Sequence, residues 1–523
     1  MNMKMLPIGT QTFEKLRKSN AVYIDKTDHI YKLISTGSVY FLSRPRRFGK
    51  SLLISTFKEL FKGNKQLFEG LYIYDKWDWS KTNPVIHLDF AEITYSSSDE
   101  LKSSLNKFVE LTAEDNNVMI DKELPLSMKF AQLIEKLHKK AGERVVILVD
   151  EYDKPLIDNL SKEGIYPEVK RTLHDFYQVI KASDEHERFV FMTGVSQFSG
   201  LSIFSGLNNL NNITMDNKYG GICGYTQEEL ESSFKEYIGS VSQEMGMTRE
   251  GVLSLIKRWY NGYSWDGKTF VYNPFSTLLF FDKKEFKGYW FETGTPTFLI
   301  EQIKKRNDLE SFAESREVGM ESLKGDGSDK IETTALLFQT GYLTIKRKEV
   351  DNYESQYTID FPNMEVKKAF LSKLMVVCAR KSQKEVENIR DKIRDGLKEK
   401  DEEKLREGLK ELFANIGYDL ITKKESYYHS LFLVAGVLSG YEVENEVHTD
   451  KGRIDAVLKK GKEVIVVEIK YGKGSKIEQL VKEGMEQIKK KKYYEKYDGN
   501  SEVSLLTIAF SDNKEIACKF EQK

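Results

Sequence analysis

Cysteine is scarce in this chain of 523 residues: there are three, and none lies within a Cys-x-x-Cys spacing. Such sparse, scattered cysteines exclude a disulfide framework, argue against a zinc site and are typical of a reducing cytoplasm. Long apolar runs are also missing, because no stretch reaches 18 residues, and we expect no membrane-spanning segment. The first residues lack the apolar core of a signal peptide. These absences favour a cytoplasmic protein.

A surplus of charge of one sign is missing as well. The chain has 80 Lys and Arg residues against 81 Asp and Glu residues, a formal net charge of −1, so any contact with nucleic acid must depend on local patches. With 40% hydrophobic, 31% charged and 12% aromatic residues, the composition is that of a folded globular protein and not of a disordered one. The length indicates three or four domains.

Short apolar segments alternate with helical periodicity in the first part of the chain. Residues 145–149 form a continuous apolar run, which is typical of a strand buried on both faces of a parallel sheet. The other strand candidates are residues 39–42, 85–90 and 188–193. Strands alternating with helices predict a doubly wound α/β domain over residues 1–225.

The segment after the first predicted strand has the features of a phosphate-binding loop. Gly49, Lys50 and Ser51 precede an amphipathic helix and match the second half of the pattern GxxxxGK[ST]. Backbone N–H groups there would hold the phosphates, Lys50 would reach the terminal phosphates, and Ser51 would contact Mg²⁺. Arg44 stands where the pattern requires its first glycine. Two further loop side chains either contact phosphate or are only solvated: Arg46 and Arg47.

Acidic residues follow the buried strand candidate. Asp150 lies where a Walker B aspartate would hold Mg²⁺, and Glu151 is placed to polarise an attacking water molecule. Thr193 or Ser196, at the end of the next predicted strand, could sense the γ-phosphate. A Gly-Lys-Ser tripeptide occurs by chance, and an acidic pair after a strand can serve only to cap a helix. The order of these residues on the expected elements favours nucleotide binding over both alternatives.

Two short apolar segments near the end of the chain predict a β-hairpin. They span residues 452–458 and 464–470 and are joined by a Lys-Lys-Gly-Lys turn. Asp455 lies on the first strand, and Glu468 and Lys470 lie two residues apart on the second, so that their side chains share one face. Two carboxylates can hold a hard divalent cation. The lysine adds a positive charge beside the nucleophile or the scissile phosphate.

The helix before this hairpin offers further candidates. Glu425 is the predicted third acid, with Glu444 and Glu446 on the next strand as alternatives. His429, on the same predicted helix, is expected to support the site or the core in preference to binding a metal. The sequence therefore leaves open which of Glu425, Glu444 and Glu446 is the third acid of the site.

The region between the two sites has a different pattern. Residues 226–380 show helices interrupted by aromatic, glycine-rich turns, and residues 332–360 predict a helix and then a hairpin, as in a small winged-helix module. The aromatic turns at residues 259–296 are expected to be core residues in preference to a partner surface. Residues 381–419 are charge-dense with helical spacing and predict a solvated helical connector. The last predicted domain spans residues 420–523.

Several motifs resemble the bacterial AAA-ATPase-like family of P-loop proteins. They are Tyr-Ile-Asp-Lys-Thr, Ser-Arg-Pro-Arg-Arg-Phe-Gly-Lys-Ser, Leu-Val-Asp-Glu-Tyr-Asp-Lys-Pro, Thr-Gly-Val-Ser-Gln-Phe-Ser and Ser-Gly-Leu-Asn-Asn-Leu. The resemblance implies ATP binding by Lys50, Ser51 and Asp150. It also makes Arg44 a family trait. Gln197 stands where related sequences often have arginine, which departs from the family pattern.

The C-terminal Asp…Glu-x-Lys layout is similar to the PD-(D/E)xK nuclease core, which members of that family commonly carry. The helix containing Gln487 resembles a helix of this nuclease group, so Gln487 is expected to face the site and Lys491 to help hold backbone phosphate. Residues 451–496 contain 14 basic against 7 acidic side chains. This patch favours phosphate contact over a merely solvated lysine face.

These features predict a multidomain α/β fold class. It comprises a P-loop NTPase domain with a doubly wound parallel sheet, a helical and winged-helix-like middle, and a C-terminal restriction-endonuclease-like α/β domain. The predicted function is an ATP-binding protein with a metal-dependent phosphodiesterase (DNA nuclease) domain whose cleavage the nucleotide gates. Expected cofactors are ATP and Mg²⁺, with Mn²⁺ as an option at the nuclease site.

The expected partner is nucleic acid, DNA in particular, and a homo-oligomer is compatible with the sequence. One alternative function is a nucleotide-switched DNA-binding or regulatory protein with an inactive nuclease-like domain. Another is an interaction protein whose aromatic turns bind a partner. Metal-dependent cleavage distinguishes the first function from both alternatives.

Overall fold

The structure, a computed structural model, describes residues 3–160, 162, 164–197, 209–290, 315–324, 333–351, 354–414, 424–449, 452–472, 476–497 and 502–523. Within these ranges the side chains of residues 351, 424–427, 446, 448, 449 and 452 lie outside the description. The chain forms two units. The first comprises Met1–Trp290 and Glu317–Met364, and the second comprises Phe291–Arg316 and Glu365–Lys523.

Five strands of the first unit form a parallel sheet. They are β1 (Val39–Ser43), β2 (Val85–Asp89), β3 (Val145–Asp150), β4 (Glu187–Gly194) and β5 (Asn211–Asn212). Every residue of β1 and β3 is buried, as expected for strands covered by helices on both sides. The sheet order β2-β3-β4-β1-β5 confirms the predicted doubly wound sheet. It also places β4 between the strand before the phosphate-binding loop and the strand before the acids.

Helices cover both faces of this sheet. They are α1 (Phe13–Lys18), α2 (Thr27–Thr36), α3 (Lys50–Phe61), α4 (Ser98–Asp115), α5 (Leu126–Ala141), α6 (Lys154–Ile157) and α7 (Tyr166–Ala182). On one face α4, α5 and α7 bury their apolar stripes, and Phe130 stacks on Phe176 with ring centroids 4.5 Å apart. On the other face Phe57 lies 5.1 Å from Phe189 and 4.8 Å from Phe191. This tertiary packing stabilises helices that would be marginal in isolation.

The rest of the first unit is mainly helical. The helices α8 (Gln227–Ser233), α9 (Lys235–Met245), α10 (Arg249–Tyr260) and α11 (Pro274–Lys283) share an apolar core. A three-stranded sheet of order β6-β8-β7 follows, formed by β6 (Arg316–Gly319), β7 (Thr344–Asp351) and β8 (Glu354–Asp360). The helices near it are α12 (Met320–Lys324) and α13 (Thr333–Gln339). The helix and hairpin predicted for residues 332–360 are therefore present in the described residues.

The aromatic turns of this helical part are interior. Five of their side chains are at most 6% exposed: Tyr260, Tyr263, Trp265, Tyr289 and Trp290. Their expected role as core residues is confirmed up to residue 290, and residues 291–296 of the same motif lie outside the described residues.

The second unit combines helices with a mixed sheet. Its described helices are α14 (Met364–Ala379), which starts at the end of the first unit, α15 (Gln383–Glu399), α16 (Glu402–Phe413), α17 (Lys424–Leu438) and α18 (Ile477–Lys491). Its strands are β9 (Glu442–Thr449), β10 (Gly452–Lys460), β11 (Glu463–Gly472), β12 (Glu502–Ser511) and β13 (Ile516–Gln522), in the order β13-β12-β11-β10-β9. The strands β11 and β12 are parallel and the other neighbours antiparallel.

The predicted C-terminal hairpin is formed by β10 and β11. Lys460 pairs with Glu463 across the turn, and Gly461 in that turn has φ of 62°, a left-handed conformation that glycine adopts without steric cost. The hairpin sets the register that places the candidate site residues.

The helices of the predicted connector differ from a solvated linker. In the second unit α15 and α16 pack closely against each other. Gly396 allows this approach because it has no side chain, and a Cβ there would lie only 2.6 Å from the backbone nitrogen of Leu405. Leu405 is fully buried. The carboxylate of Glu402 accepts a hydrogen bond of 3.0 Å from the backbone N–H of Phe520 in β13. The two apolar stripes explain this packing, since each helix buries its stripe instead of exposing it.

No described helix is both long enough and apolar enough to cross a bilayer. Cys223, Cys378 and Cys518 are buried free thiols. Burial raises the pKa of the Cys223 and Cys518 thiols, and a protonated buried thiol is chemically inert.

A buried acid at the start of β4 makes stability depend on pH. Glu187 is 5% exposed, and neither carboxylate oxygen has a partner among the described residues. Burial raises its pKa from 4.5 to about 8. The folded state therefore binds a proton that the unfolded state releases, and stability is lost as the pH rises from about 4.5 through about 8.

We expect Glu187→Gln to remove this loss, because a neutral amide has no charge to desolvate. The melting temperature of the wild type should fall relative to that of Glu187→Gln between pH 5 and pH 9. The matched control is Glu185→Gln, since the Glu185 side chain is 82% exposed; its pH profile should follow the wild type. Parallel profiles for wild type and Glu187→Gln would contradict the prediction.

Candidate functional sites

The phosphate-binding loop, residues 44–49, connects β1 to the N-terminus of α3. The helix α3 begins at Lys50, and Gly49 before it has φ of 90° and ψ of 19°, a conformation that side chains rarely adopt. The first turn of a helix leaves N–H groups without partners inside the helix, and its dipole favours an anion. The glycine and the lysine of the motif are therefore placed as phosphate binding requires.

Lys50 lies between this loop and a group of acids. It is 6% exposed, and its Nζ donates to the carbonyl oxygens of Arg44 and Pro45 at 2.9 and 3.0 Å. Burial lowers the pKa of Lys50, and the charges of Asp150 and Glu151 oppose that shift. The ammonium group thus lies between the carbonyl groups of the loop and the acids at the end of β3.

Arg44, which replaces the first glycine of the pattern, is a structural anchor. It is fully buried, and its Nη1 donates to the carbonyl oxygens of Ser43 and Thr214 at 2.8 and 2.9 Å. Its guanidinium lies 4.0 Å from the ring centroid of Trp265. Burial lowers its pKa to about 10. The side chain therefore fixes the base of the loop from behind and does not reach the side where phosphate would lie.

Arg46 and Arg47 remain at the loop surface. Both are exposed, and the guanidinium of Arg47 lies 5.0 Å from the ring of Phe275. The backbone carbonyl of Arg46 accepts a hydrogen bond of 3.0 Å from Nε1 of Trp290. Both side chains are accessible to an anion bound in the loop.

The carboxyl ends of β3 and β4 bring the predicted acid and sensor together. Asp150 is 1% exposed, and its Oδ1 accepts from the hydroxyl of Thr193 at 2.5 Å and from the N–H of Glu151 at 3.0 Å. Ser51 lies in the first turn of α3 and is half-buried. The parallel sheet thus places Lys50, Asp150 and Thr193 at one edge, although they are far apart in sequence.

Ser196, the alternative sensor, has a different task. Its hydroxyl and backbone N–H each donate to Oδ2 of Asp153 at 2.6 Å, so the hydroxyl is used inside the protein. Gln197 is also structural, because its backbone N–H donates to Oε1 of Gln339 at 2.7 Å. Of the two sensor candidates, Thr193 is the one that contacts Asp150.

Sequence reasoning missed one acid at this edge. Asp89 ends β2 and lies in register beside Asp150. Burial raises its pKa to about 6, and the charges of Asp150 and Glu151 add to the effect. The available signal was an acid near the end of a predicted strand: Asp89 is the last but one residue of the candidate 85–90, and Asp150 directly follows the candidate 145–149.

In the second unit, Asp455 lies where the ladder between β10 and β11 opens. The last pair before it is Ala456 with Val467, and Oδ2 of Asp455 accepts from the backbone N–H of Ile469 at 2.7 Å. Nε2 of His429 lies 3.0 Å from the backbone oxygen of Asp455. His429 thus contacts the strand and not the carboxylate in this arrangement, which agrees with its expected supporting role.

Glu468 is the most constrained acid of the site. It is 1% exposed, and its Oε1 accepts from Nζ of Lys470 at 2.7 Å and from Nε2 of Gln487 at 2.5 Å. Its Oε2 is buried without a partner among the described residues. Burial raises its pKa to about 7, with a further contribution from the charge of Asp455 and an opposing one from Lys470.

Gln487, on α18, reaches both Lys470 and Glu468. Its Oε1 accepts from Nζ of Lys470 at 2.8 Å, so Glu468, Lys470 and Gln487 form a closed triangle of hydrogen bonds. Lys491, one turn further along the helix, acts on Glu468 through its charge. The helix can come this close because Gly484 has no side chain: a Cβ at this position would lie only 2.5 Å from Cγ2 of Thr507.

Gly484→Ala is therefore expected to push α18 away from β11 and β12. We expect a loss of stability of about 1–3 kcal/mol, as for other overpacked sites, together with reduced cleavage, because Gln487 would lose its reach to Glu468. Thermal melting and a plasmid-nicking assay measure both effects. The control is Glu486→Ala on an exposed position of the same helix; unchanged melting and cleavage in Gly484→Ala would count against the steric argument.

The structure separates the other predicted acids from this site or leaves them undescribed. Glu444 pairs with Lys459, and its second oxygen accepts from the hydroxyl of Tyr497 at 3.3 Å, so it serves the far part of the hairpin. The backbone of Glu425 lies in the first turn of α17, but its side chain and that of Glu446 lie outside the described residues.

Asp455 and Glu468 fit a divalent cation. Oε2 of Glu468 is buried without a partner among the described residues, and the two carboxylates repel each other, a repulsion that a cation would relieve. Among the described side chains, no group of three or more His, Cys, Asp or Glu suits a metal. Oxygen donors of this kind are the ligands of Mg²⁺ and Mn²⁺ and not of soft metals.

Part of the predicted basic patch is paired with acids. Four described lysines form ion pairs: Lys459 with Glu444, Lys470 with Glu468, Lys489 with Glu521 and Lys492 with Glu495. Two of these acids, Glu444 and Glu521, lie outside residues 451–496 and reduce the positive excess counted there. The charge that acts directly on the site comes from Lys470 and Lys491.

Comparisons with known proteins identify a family for each of two parts of the chain. Residues 7–204 match the model of a family described as a predicted AAA-ATPase, and residues 423–520 match the PD-(D/E)XK nuclease superfamily. An uncharacterised protein from the vnfD 5′ region of Azotobacter chroococcum mcd 1 is 37% identical over 520 residues, which cover 98% of this chain and 97% of that protein.

Two solved structures are also similar, at low scores. The Aeropyrum pernix ORC2 protein in ADPNP–ADP complexes is 11% identical, with 67% of this chain and 92% of that chain covered and a TM-score of 0.27. The Aeropyrum pernix ORC1 protein in complex with DNA is 9% identical, with 66% and 90% covered and a TM-score of 0.24. These scores support no conclusion about this chain. The two family matches and the Azotobacter relative show the family. The chain belongs to the AAA-ATPase-like family and carries a C-terminal PD-(D/E)XK nuclease-superfamily domain.

Proposed function

We propose that the first unit binds ATP with Mg²⁺, that the second unit cleaves phosphodiester bonds of DNA with the aid of a divalent metal, and that the nucleotide gates cleavage. The observation that carries the proposal is the Glu468 carboxylate, which is buried beside Asp455 with one free oxygen and is held by Lys470 and Gln487. A fold does not need such a costly arrangement of charges, whereas a metal site does.

The roles at the cleavage site follow from the contacts. Asp455 and Glu468 would hold the metal, and a divalent cation bound there supplies a water of lowered pKa and stabilises charge on phosphorus. Lys470, oriented by Gln487, would position the water or help to deprotonate it. Lys491 would hold the DNA backbone by its charge.

The roles at the nucleotide site follow in the same way. Backbone N–H groups around Gly49 and the side chain of Lys50 would bind the phosphates, with Arg46 and Arg47 as further contacts. Ser51 and Asp150 would hold Mg²⁺, and Thr193 would keep Asp150 oriented through its hydrogen bond. Glu151 is the candidate to polarise the attacking water.

A second candidate function is a nucleotide-switched DNA-binding or regulatory protein with an inactive nuclease-like domain. The observation that favours it is that Lys470 pairs with Glu468 at 2.7 Å, so the buried carboxylate has a neutralising partner without a cation. Tight DNA binding without metal-dependent nicking would support this alternative.

The experiment that tests the proposal uses the purified full chain. Supercoiled plasmid and linear single-stranded DNA are incubated with Mg²⁺, Mn²⁺ or EDTA, each with and without ATP. We expect nicking that requires the divalent metal and changes with ATP. Nicking in EDTA would refute the metal role, equal nicking with and without ATP would refute the gating, and binding without nicking would support the second candidate.

Three further expectations belong to this proposal. The domain boundaries at residues 225, 380 and 419, a homo-oligomer and a cytoplasmic location all stay predictions. Size-exclusion chromatography with light scattering, with and without ATP, measures the oligomeric state.

A further inference from the structure

The carbonyl groups at the start of the phosphate-binding loop are all held by donors. Nζ of Lys50 binds the carbonyl oxygens of Arg44 and Pro45. The carbonyl oxygen of Arg46 is held by Nε1 of Trp290 at 3.0 Å, from a position 244 residues away in sequence. Two separate donors therefore orient three consecutive peptide groups of the loop.

Peptide geometry converts these contacts into an orientation of the N–H groups. In a planar trans peptide the C=O of one residue and the N–H of the next point in opposite directions. Holding the carbonyl of Arg46 toward Trp290 turns the N–H of Arg47 away from Trp290. The carbonyl of Pro45 is held by Lys50 instead, so the N–H of Arg46 points away from Lys50. The N–H of Arg47, turned away from the buried indole, is the kind of backbone donor that a phosphate requires.

The indole of Trp290 is itself tightly fixed. It is 6% exposed, and its ring lies 5.3 Å from that of Tyr342 and 6.5 Å from that of Tyr263. A Cβ on Gly341, which has φ of 89°, would lie 2.6 Å from Cγ of Pro45 and 3.6 Å from Cζ2 of Trp290. Loop, indole and Gly341 are thus packed without room for another side chain.

The two donors differ in one respect. Lys50 belongs to the phosphate site itself and would turn to the phosphates when they bind. Trp290 is buried and holds its carbonyl from within the core of the first unit.

We infer that Trp290 is a positioning residue for the phosphate-binding loop, and that its hydrogen bond to the carbonyl of Arg46 presets the loop backbone for the nucleotide phosphates. This inference rests on the proposed function, since it assumes that the loop binds ATP. It assigns a specific task to one of the aromatic residues that otherwise only fill the core.

The test is Trp290→Phe, which removes the indole N–H and keeps an aromatic ring between Tyr263 and Tyr342. The matched control is Trp259→Phe, because Trp259 is half-buried against Phe286, with ring centroids 5.7 Å apart. Affinity for a fluorescent N-methylanthraniloyl ATP, melting temperature and nicking with and without ATP are measured on the full chain. We expect Trp290→Phe to weaken nucleotide binding about 5- to 10-fold, the effect of one lost hydrogen bond.

At saturating ATP, Trp290→Phe should show the same change in nicking as the wild type, because the lost hydrogen bond lowers the affinity for the nucleotide and leaves the occupied state intact. Trp259→Phe should match the wild type in affinity and in its response to ATP. Wild-type affinity in Trp290→Phe, or an equal loss in Trp259→Phe, would overturn the inference. Absence of nucleotide binding by the wild type would overturn the proposed function and this inference with it.

Discussion

Replacing Asp455 by asparagine is expected to abolish metal-dependent nicking of supercoiled DNA while the second unit stays folded. Asparagine keeps an oxygen that can accept from the N–H of Ile469, a bond of 2.7 Å in the wild type, and loses the charge that a metal requires. We expect cleavage to fall by more than about 100-fold, because even the partners that surround metal ligands contribute about 10- to 100-fold.

The same variant tests the metal role without any activity measurement. In the absence of metal, Asp455→Asn should be at least as stable as the wild type, since it removes a charge that repels the buried Glu468. Added Mn²⁺ should raise the melting temperature of the wild type and have little effect on the variant, because binding to the folded state alone stabilises it.

Glu444→Gln is the matched control for Asp455→Asn. Glu444 lies on the neighbouring strand and pairs with Lys459, so this variant should keep its cleavage and its response to Mn²⁺. If Asp455→Asn cleaved like the wild type, or if Glu444→Gln lost as much, the assignment of the metal site would be wrong.

Replacing Lys50 by methionine is expected to weaken ATP binding about 10- to 100-fold, the range for hydrogen bonds to a charged group. Methionine keeps most of the side-chain length in a position that is 6% exposed. Because burial already disfavours the ammonium form of Lys50, a neutral side chain should not unfold the first unit. Fluorescent ATP binding and thermal melting measure the two quantities.

The control is Lys62→Met, at an exposed position just after α3, which should bind ATP like the wild type. Nicking by Lys50→Met should lose its response to ATP, and ATP binding by Asp455→Asn should be unchanged. Such reciprocal results would separate the two sites. Wild-type ATP binding by Lys50→Met would show that the loop is not the nucleotide site.

The parts of both sites that were predictable depend on short-range geometry. Glu468 and Lys470 share a face because strand side chains alternate, and the hairpin turn sets Asp455 opposite them. Gly49, Lys50 and Ser51 are contiguous, and Asp150 ends a continuous apolar strand. In each case the spacing within one or two elements decides where the side chains point, so the sequence alone suffices.

Contacts between distant elements were not predictable in this way. In the sequence, Arg44 only replaces the first glycine of the phosphate-binding pattern. In the structure its side chain donates to the carbonyl oxygen of Thr214 and packs on the ring of Trp265. Nothing in the local sequence distinguishes Ser196 from Thr193 as the partner of Asp150. The role of Gly484 depends on Thr507, which lies on a strand after α18.

The sequence by itself determined the family motifs, the alternation of strands and helices in the first unit, and the pattern Asp455, Glu468 and Lys470, because each is a matter of local spacing. Only the tertiary structure decided which residues come together at the edge of the sheet of order β2-β3-β4-β1-β5, and which residues of α18 contact Glu468 and Lys470. The physical reason is that strand order and helix approach depend on how buried surfaces pack, and a contact such as that of Trp290 with Arg46 joins segments that share no local pattern.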